Sequence, residues 1–174
     1  YCTSSFNLDK RNVRSIKGDN MEIKAYQPQF FEAVQSIQLS EEDSRYTKTP
    51  LENLESAKTN ENRYPTLVME GQQCVAFFTL HEGDGPAPYS TNPKAIFFRS
   101  FTVDARYRGK GVGKHVIHQL STYIKHFYPH INEIVLTVNI DNPRAIHLYE
   151  QAGYYHIGES TMIGKPVYVM SYPL

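Results

Sequence analysis

Nine residues from Ala95 to Val103 form a long, largely apolar run, Ala95-Ile96-Phe97-Phe98-Arg99-Ser100-Phe101-Thr102-Val103. A strand with one wet face alternates apolar and polar side chains, and this run does not. It reads as a central strand buried on both faces. Such a strand needs a layer of structure on each side. The next periodic segment supplies one, because Val112, Val116, Ile117, Leu120, Ile124 and Phe127 recur on one helix face. A glycine-rich turn links strand and helix, and Ile134 to Val138 is a second apolar strand beyond it. The order is that of a mixed α/β chain built on one sheet.

The rest of the chain fits that plan. Met21-Glu22-Ile23-Lys24-Ala25-Tyr26 alternates as a strand does, and Phe30, Phe31, Val34 and Ile37 share one helix face. Thr49-Pro50-Leu51-Glu52 is a helix start: Thr49 caps, Pro50 suits the first helical position and Glu52 closes a capping box. Thr66 to Glu70 and Cys74 to Leu80 are expected strands joined at Gly71-Gln72, and His81 to Pro93 is an expected loop. Asn142-Pro143 opens a helix that stops at Gly153, and two strands flank Gly164-Lys165. Residues 1–20 are polar and carry Lys10, Arg11, Arg14 and Lys17 without sustained periodicity. They read as an N-terminal extension or leader ahead of one domain over residues 21–174, with Met21 as a natural start. A genuine N-terminal arm is the competing reading.

Charge and cysteine usage narrow the function. The 174 residues carry 18 Lys plus Arg and 18 Asp plus Glu, a formal net charge of +0, so bulk attraction to nucleic acid is not expected. Cys2 and Cys74 make neither a disulfide framework nor a zinc spacing. No apolar run has the length of a bilayer span, and no secretory leader is legible, so a cytoplasmic chain is expected.

The informative turn is Arg108-Gly109-Lys110-Gly111-Val112-Gly113-Lys114. Glycines let a backbone turn tightly and present its N–H groups, and a helix start behind them adds unpaired donors and a positive dipole end. That combination suits a phosphate or pyrophosphate, and Arg106, Arg108, Lys110 and Lys114 add local positive charge. The nucleotide P-loop is excluded, because Arg108 stands where its first glycine belongs and His115 replaces its hydroxyl residue. The dinucleotide fingerprint also fails, since its third glycine comes one residue early at Gly113.

The pattern Arg108, Gly111, Gly113 resembles the acetyl-CoA pyrophosphate loop of GNAT-type N-acetyltransferases. The segment from Asn139 through Asn142, Ala145, Leu148 and Tyr149 to Gly153-Tyr154 resembles that family's later motif, in the right order. The resemblance covers the chain from Met21 onward and is similar in feel to bacterial polyamine acetyltransferases. It implies a mixed sheet of about six to seven strands with about four helices, splayed between the fourth and fifth strands. It implies acetyl-CoA as co-substrate, with no metal, and direct attack by a neutral amine. Its cofactor-binding residues would be Phe101, Thr102 and Val103 through strand-like pairing, Arg108, Gly109, Lys110, Gly111, Val112, Gly113 and Lys114 in the loop, and Asn139, Asn142 and Tyr149. Tyr149, two helical turns after Asn142, would be the general acid that protonates the departing thiolate. A core aromatic is the plainer reading of the same residue.

The acceptor is less legible. The acidic run Glu41-Glu42-Asp43 would suit a polyamine, or is a solvated turn. Arg99, in the middle of the buried strand, would repel a polyamine and attract an amine that carries a carboxylate. A small primary amine is expected, polyamines ahead of amino acids, peptides or protein N-termini; a CoA-binding sensor without turnover is the rival of another class. Glu82, Asp84 and His81 are candidate bases because they adjoin a loop. Cys74 reads as core packing and His115 with His118 as a helix face, rather than nucleophile or metal ligands. The terminal hairpin offers edge strands that could pair across a homodimer.

Overall fold

The computed structural model describes residues 5–8, 14–17, 20–41, 44 and 47–174, the first two segments by their backbone. The chain folds around one nine-stranded sheet with spatial order β1-β2-β3-β4-β5-β6-β7-β9-β8. The strands are β1 (Ser5–Leu8), β2 (Arg14–Lys17), β3 (Glu22–Ala25), β4 (Arg63–Glu70), β5 (Gln73–His81), β6 (Ala95–Val103), β7 (Glu133–Asn139), β8 (Tyr155–Met162) and β9 (Lys165–Pro173). The seven strands from β3 onward are the expected mixed sheet. The hairpin β1–β2 extends it into the first twenty residues through pairs such as Ile16 with Ile23. Among the described residues, helices α1 (Phe31–Gln35), α2 (Pro50–Lys58), α3 (Val112–Phe127) and α4 (Pro143–Gln151) accompany the sheet.

Neighbouring strands run antiparallel except β6 and β7, the fourth and fifth of the seven. A parallel pair needs a crossover connection, and α3 provides it. The pair stays in register only from Ala95 opposite Glu133 to Phe97 opposite Val135. Beyond that point both strands continue, β6 to Val103 and β7 to Asn139, without each other. The sheet therefore splays open at the C-terminal ends of its two central strands, and their backbone groups there are open to a guest chain.

Both faces are covered, as the apolar run of β6 requires. Val112, Val116, Ile117, Leu120 and Ile124 of α3 pack with Phe78, Ile96 and Phe98 on one face. Val34 of α1 and Leu54 of α2 pack with Leu67, Cys74 and Phe77 on the other. Phe97 joins a smaller cluster with Val135 and Val169. Each fully buried large side chain contributes about 1.5–3 kcal/mol relative to exposure. The capping box on α2 forms as its sequence predicts, with Glu52 N donating to Thr49 Oγ1 and Thr49 N donating to Glu52 Oε1, both at 3.1 Å. Helix α1 is shorter than the apolar spacing suggests, because Pro28–Phe30 forms a 3-10 turn before it. Among the described residues no helix is long and apolar enough to cross a membrane.

Candidate active site

The splay opens into a cleft of about 950 Å³ whose walls come from β6, the glycine turn, α3, β7 and α4. At one end stands the turn. Gly109 and Gly111 adopt left-handed φ values of 74° and 78°, which L-residues with a side chain rarely take. A Cβ at either position would meet nothing within 4 Å, so it would project into open space rather than into protein. Gly111 occupies the N-cap of α3 with no side chain to bond the first-turn amides. Those N–H groups lack intrahelical acceptors and sit at the positive end of a 16-residue helix, an arrangement that fits a pyrophosphate. Arg108, Gly113 and Lys114 line the same end.

Two of the expected cations are used differently. Arg106 is engaged by Asp104, which accepts from its backbone N at 2.8 Å, its Nε at 3.0 Å and its Nη2 at 2.8 Å. Asp104 also accepts from Gln38 N at 3.0 Å, tying the exit of β6 to the end of α1. Burial alone would push the Asp104 carboxyl up, but the hydrogen bonds from Arg106 and Gln38 outweigh it and hold it below its usual value. It is a fully buried strut under the turn that sequence patterning did not single out. Lys110 lies over the Tyr107 ring at 5.2 Å and does not line the cleft.

Strand β6 carries a bulge at the splay. Phe77 faces Thr102 but Thr79 faces Arg99, so β6 has one residue more than its partner, and Ser100 stands at φ 60°. A bulge bends its strand and re-aims the backbone beyond it. Phe101 and Val103 then line the cleft, while the Thr102 side chain is buried away from it.

The opposite wall is the start of α4. Asn142 caps it, its Oδ1 accepting from Ala145 N at 3.3 Å, and Asn139 and Asn142 both line the cleft. Tyr149 lies two turns further on the same face. It combines both readings of the sequence: its ring packs on Tyr154 at 5.8 Å between centroids, yet it also lines the cleft. Burial raises its pKa above the ordinary phenol value, so the hydroxyl keeps its proton through the neutral range.

Arg99, Thr47 and Lys48 also line the cleft. Glu41 is exposed and does not line it, and Glu42 and Asp43 lie outside the described residues. Glu82, Asp84 and His81 do not line it either. Glu82 accepts from Tyr64 Oη at 2.6 Å and pairs with His130, whereas His81 and Asp84 form a chain behind Arg99. Among the described residues no carboxylate lines the cleft. His118 lines it from α3, and no three potential metal ligands converge among the described residues. Cys74 is buried and its thiol is pushed up to about 12, mainly by that burial, so it is not a ready nucleophile.

The comparisons with known proteins agree with this geometry. The model of the acetyltransferase (GNAT) family matches residues 26–154. The chain is 34% identical over 140 residues to the uncharacterized N-acetyltransferase YbbJ of Bacillus subtilis (strain 168), covering 80% of this chain and 88% of that one. It is 31% identical over 99 residues to the spermine/spermidine N(1)-acetyltransferase of the same organism, covering 51% of this chain and 64% of the relative. In fold it is similar to the Vibrio cholerae spermidine N-acetyltransferase crystallised with CoA and spermine, at a TM-score of 0.69 and 18% identity over 88% of this chain and 95% of that one. An aminoglycoside N(6')acetyltransferase from Legionella pneumophila gives a TM-score of 0.67 at 19% identity, over 88% of this chain and 92% of that one. With a parallel pair that splays over a glycine-capped helix and a family match across most of its length, the chain belongs to the acetyltransferase (GNAT) family, N-acetyltransferases that use acetyl-CoA as co-substrate.

Proposed function

We propose that this N-acetyltransferase moves the acetyl group of acetyl-CoA directly onto a primary amine of a small acceptor, with Tyr149 as general acid. The carrying observation is that Tyr149 lines the cleft in protonated form, opposite the splayed end of β6. The first-turn amides of α3, with Arg108 and Lys114, hold the pyrophosphate. The free edge of β6 after Ser100 pairs with the amides of the pantetheine arm and offers an N–H to the thioester oxygen as negative charge develops there. The neutral amine attacks the carbonyl carbon, the C–N bond forms and the C–S bond breaks. The amine gives up one proton to solvent, the sulfur gains one from Tyr149, and Tyr149 regains its proton from solvent. An ordinary thiol has a pKa of about 8.5, so the thiolate leaves readily and the acid accelerates a step it does not solely enable.

A polyamine acceptor is the reading that the spermine- and spermidine-acetylating relatives support. The charge of the cleft weighs against a polycation, because its acceptor end presents Lys48 and Arg99 and no carboxylate among the described residues. The cytoplasm, where acetyl-CoA is available, is the expected compartment, and the exposed edge of β8 is where a second copy would pair in a homodimer.

The test is release of free thiol from acetyl-CoA with a panel of polyamines, amino acids, aminoglycosides and short peptides. Saturable turnover is expected, and Tyr149→Phe should lower kcat by up to about a hundredfold while leaving CoA affinity unchanged. Parent-level kcat in Tyr149→Phe across pH would remove the acid role. Tight CoA binding with no turnover on any amine would favour a CoA-binding sensor.

A further inference from the structure

We propose that Arg99 is a specificity residue that binds a carboxylate on the acceptor, so that the preferred substrate is an amine bearing a carboxylate rather than a polyamine. The proposal rests on the acetyl-transfer reading above and names the substrate class of the same site.

Arg99 lines the acceptor end of the cleft from the middle of β6. One of its nitrogens, Nη1, lies 3.2 Å from His81 Nδ1. A guanidinium can only donate, so His81 Nδ1 accepts and His81 carries its proton on Nε2. That nitrogen lies 2.9 Å from Asp84 Oδ1, and Asn60 Nδ2 donates to the other carboxylate oxygen at 3.1 Å. The chain Asn60–Asp84–His81–Arg99 therefore fixes the guanidinium through a neutral imidazole. The Phe97 ring, 5.3 Å from its central carbon, adds a second constraint. His81 and Asp84 are positioning residues in this account, since neither lines the cleft.

A positioned guanidinium here has positive charge to spare. Arg99 Nε is shielded from water and has no hydrogen-bond partner. Arg63, on the strand paired with His81, adds a second cation whose Nη1 is likewise shielded and unpartnered. Asp84 is 63% exposed in its side chain and is linked to Arg99 through His81. Arg99 is half-buried, and a partly desolvated cation is stabilised by an anion, whose two oxygens, in a carboxylate, match the forked guanidinium. Lys48, whose ammonium donates to Ser56 Oγ at 3.2 Å, lines the same end and adds to the field. A polyamine would bring further cations to Arg99 and Lys48 and offer their charge no partner. A site built to pair a polar group discriminates strongly against a substrate that lacks it.

The experiment uses pairs of amines that differ only by a carboxylate: lysine against 1,5-diaminopentane, ornithine against 1,4-diaminobutane, and ω-amino acids of graded length against the matching alkylamines. Thiol release is measured for each, and binding of the corresponding N-acetyl products to the CoA-loaded protein is followed by calorimetry. The best carboxylate member is expected to exceed its partner in kcat/KM, and its product in affinity, by about ten- to a hundredfold. Arg99→Gln should abolish that preference through KM, with CoA affinity unchanged, and His81→Gln should weaken it. O-phosphoethanolamine against β-alanine separates a carboxylate site from a phosphate site, and a preference for the phosphate overturns the proposal. Diamines that match or exceed their carboxylate partners in the parent protein also overturn it, whether or not the variants fold. Persistent product preference without any thiol release would instead retain the subsite and sink the acetyl-transfer reading.

Discussion

Gly111 is held at φ 78° at the N-cap of α3, and a side chain added there would enter open space. Two effects of a substitution can therefore be separated. The left-handed backbone costs about 1–2 kcal/mol for any L-residue, and the side chain would also fill the place where the pyrophosphate approaches. Gly71, in the turn between β4 and β5, has φ 61° and equally open space but no place in the cleft. Gly111→Leu and Gly71→Leu should thus lower Tm by comparable amounts, while only Gly111→Leu weakens acetyl-CoA binding, by tenfold or more. Titration of both variants with acetyl-CoA reads this out. Equal affinities would mean that the pyrophosphate is not held against this turn.

Helix α2 matters to the site because Lys48, just before its cap, lines the cleft. The polar link from this helix to the sheet is Asn53, fully buried, whose Nδ2 donates to Thr49 O at 2.9 Å and whose Oδ1 accepts from Thr79 Oγ1 at 3.0 Å. Asn53→Ala would leave the Thr79 hydroxyl without its partner, and should cost about 1–3 kcal/mol in urea unfolding. Asn53→Ala with Thr79→Val should cost less than the sum of the two single changes, and strict additivity would deny the link. The exposed cap itself was legible in Thr49-Pro50-Leu51-Glu52, because a capping box is a local device written in four adjacent residues. The same holds for β6, α3 and α4, where apolar periodicity and helix-start residues set the boundaries. What stayed hidden depends on neighbours distant in sequence. Asp104 lies only two residues from Arg106, but nothing near either announces that Arg106 also donates to Ser36 O at the end of α1, 70 residues away, and nothing near Ser100 announces a bulge set by registry against β5. The hairpin β1–β2 escaped the periodicity because each of its strands is only four residues long, with β1 pairing to β2 and β2 to β3. Arg99 was visible as an anomaly in a buried strand, but its partner His81 lies 18 residues away on another strand.

At the scale of the whole molecule, the balanced charge of the sequence conceals an uneven distribution, with cations around the cleft and carboxylates elsewhere among the described residues. His81 sits where that unevenness meets the core, 2% exposed, facing Arg63 and Arg99 on one side and Asp84 and Asn60 on the other. Its pKa is lowered from the ordinary imidazole value of 6.5, chiefly by burial, with Arg63 and Arg99 adding to the effect against the opposing hydrogen bond to Asp84. The folded chain thus takes up this proton at a lower pH than the unfolded chain does. Stability rises with pH wherever the unfolded state binds more protons, so the contribution of His81 is complete above about pH 6.5 and is lost as the pH falls toward the folded value. The slope of that loss is at most about 1.4 kcal/mol per pH unit for one proton. His81→Gln keeps a polar side chain at the junction of β4, β5 and β6 but cannot titrate. It should be less stable than the parent at pH 7.5, and its Tm should fall less than the parent's between pH 7.5 and pH 5.5. The other six histidines are common to both proteins, so the difference in slope isolates this one group. Identical slopes would show that His81 charges as readily in the folded chain as in the unfolded one, and that the neutral imidazole bridging Asp84 and Arg99 does not persist below neutral pH.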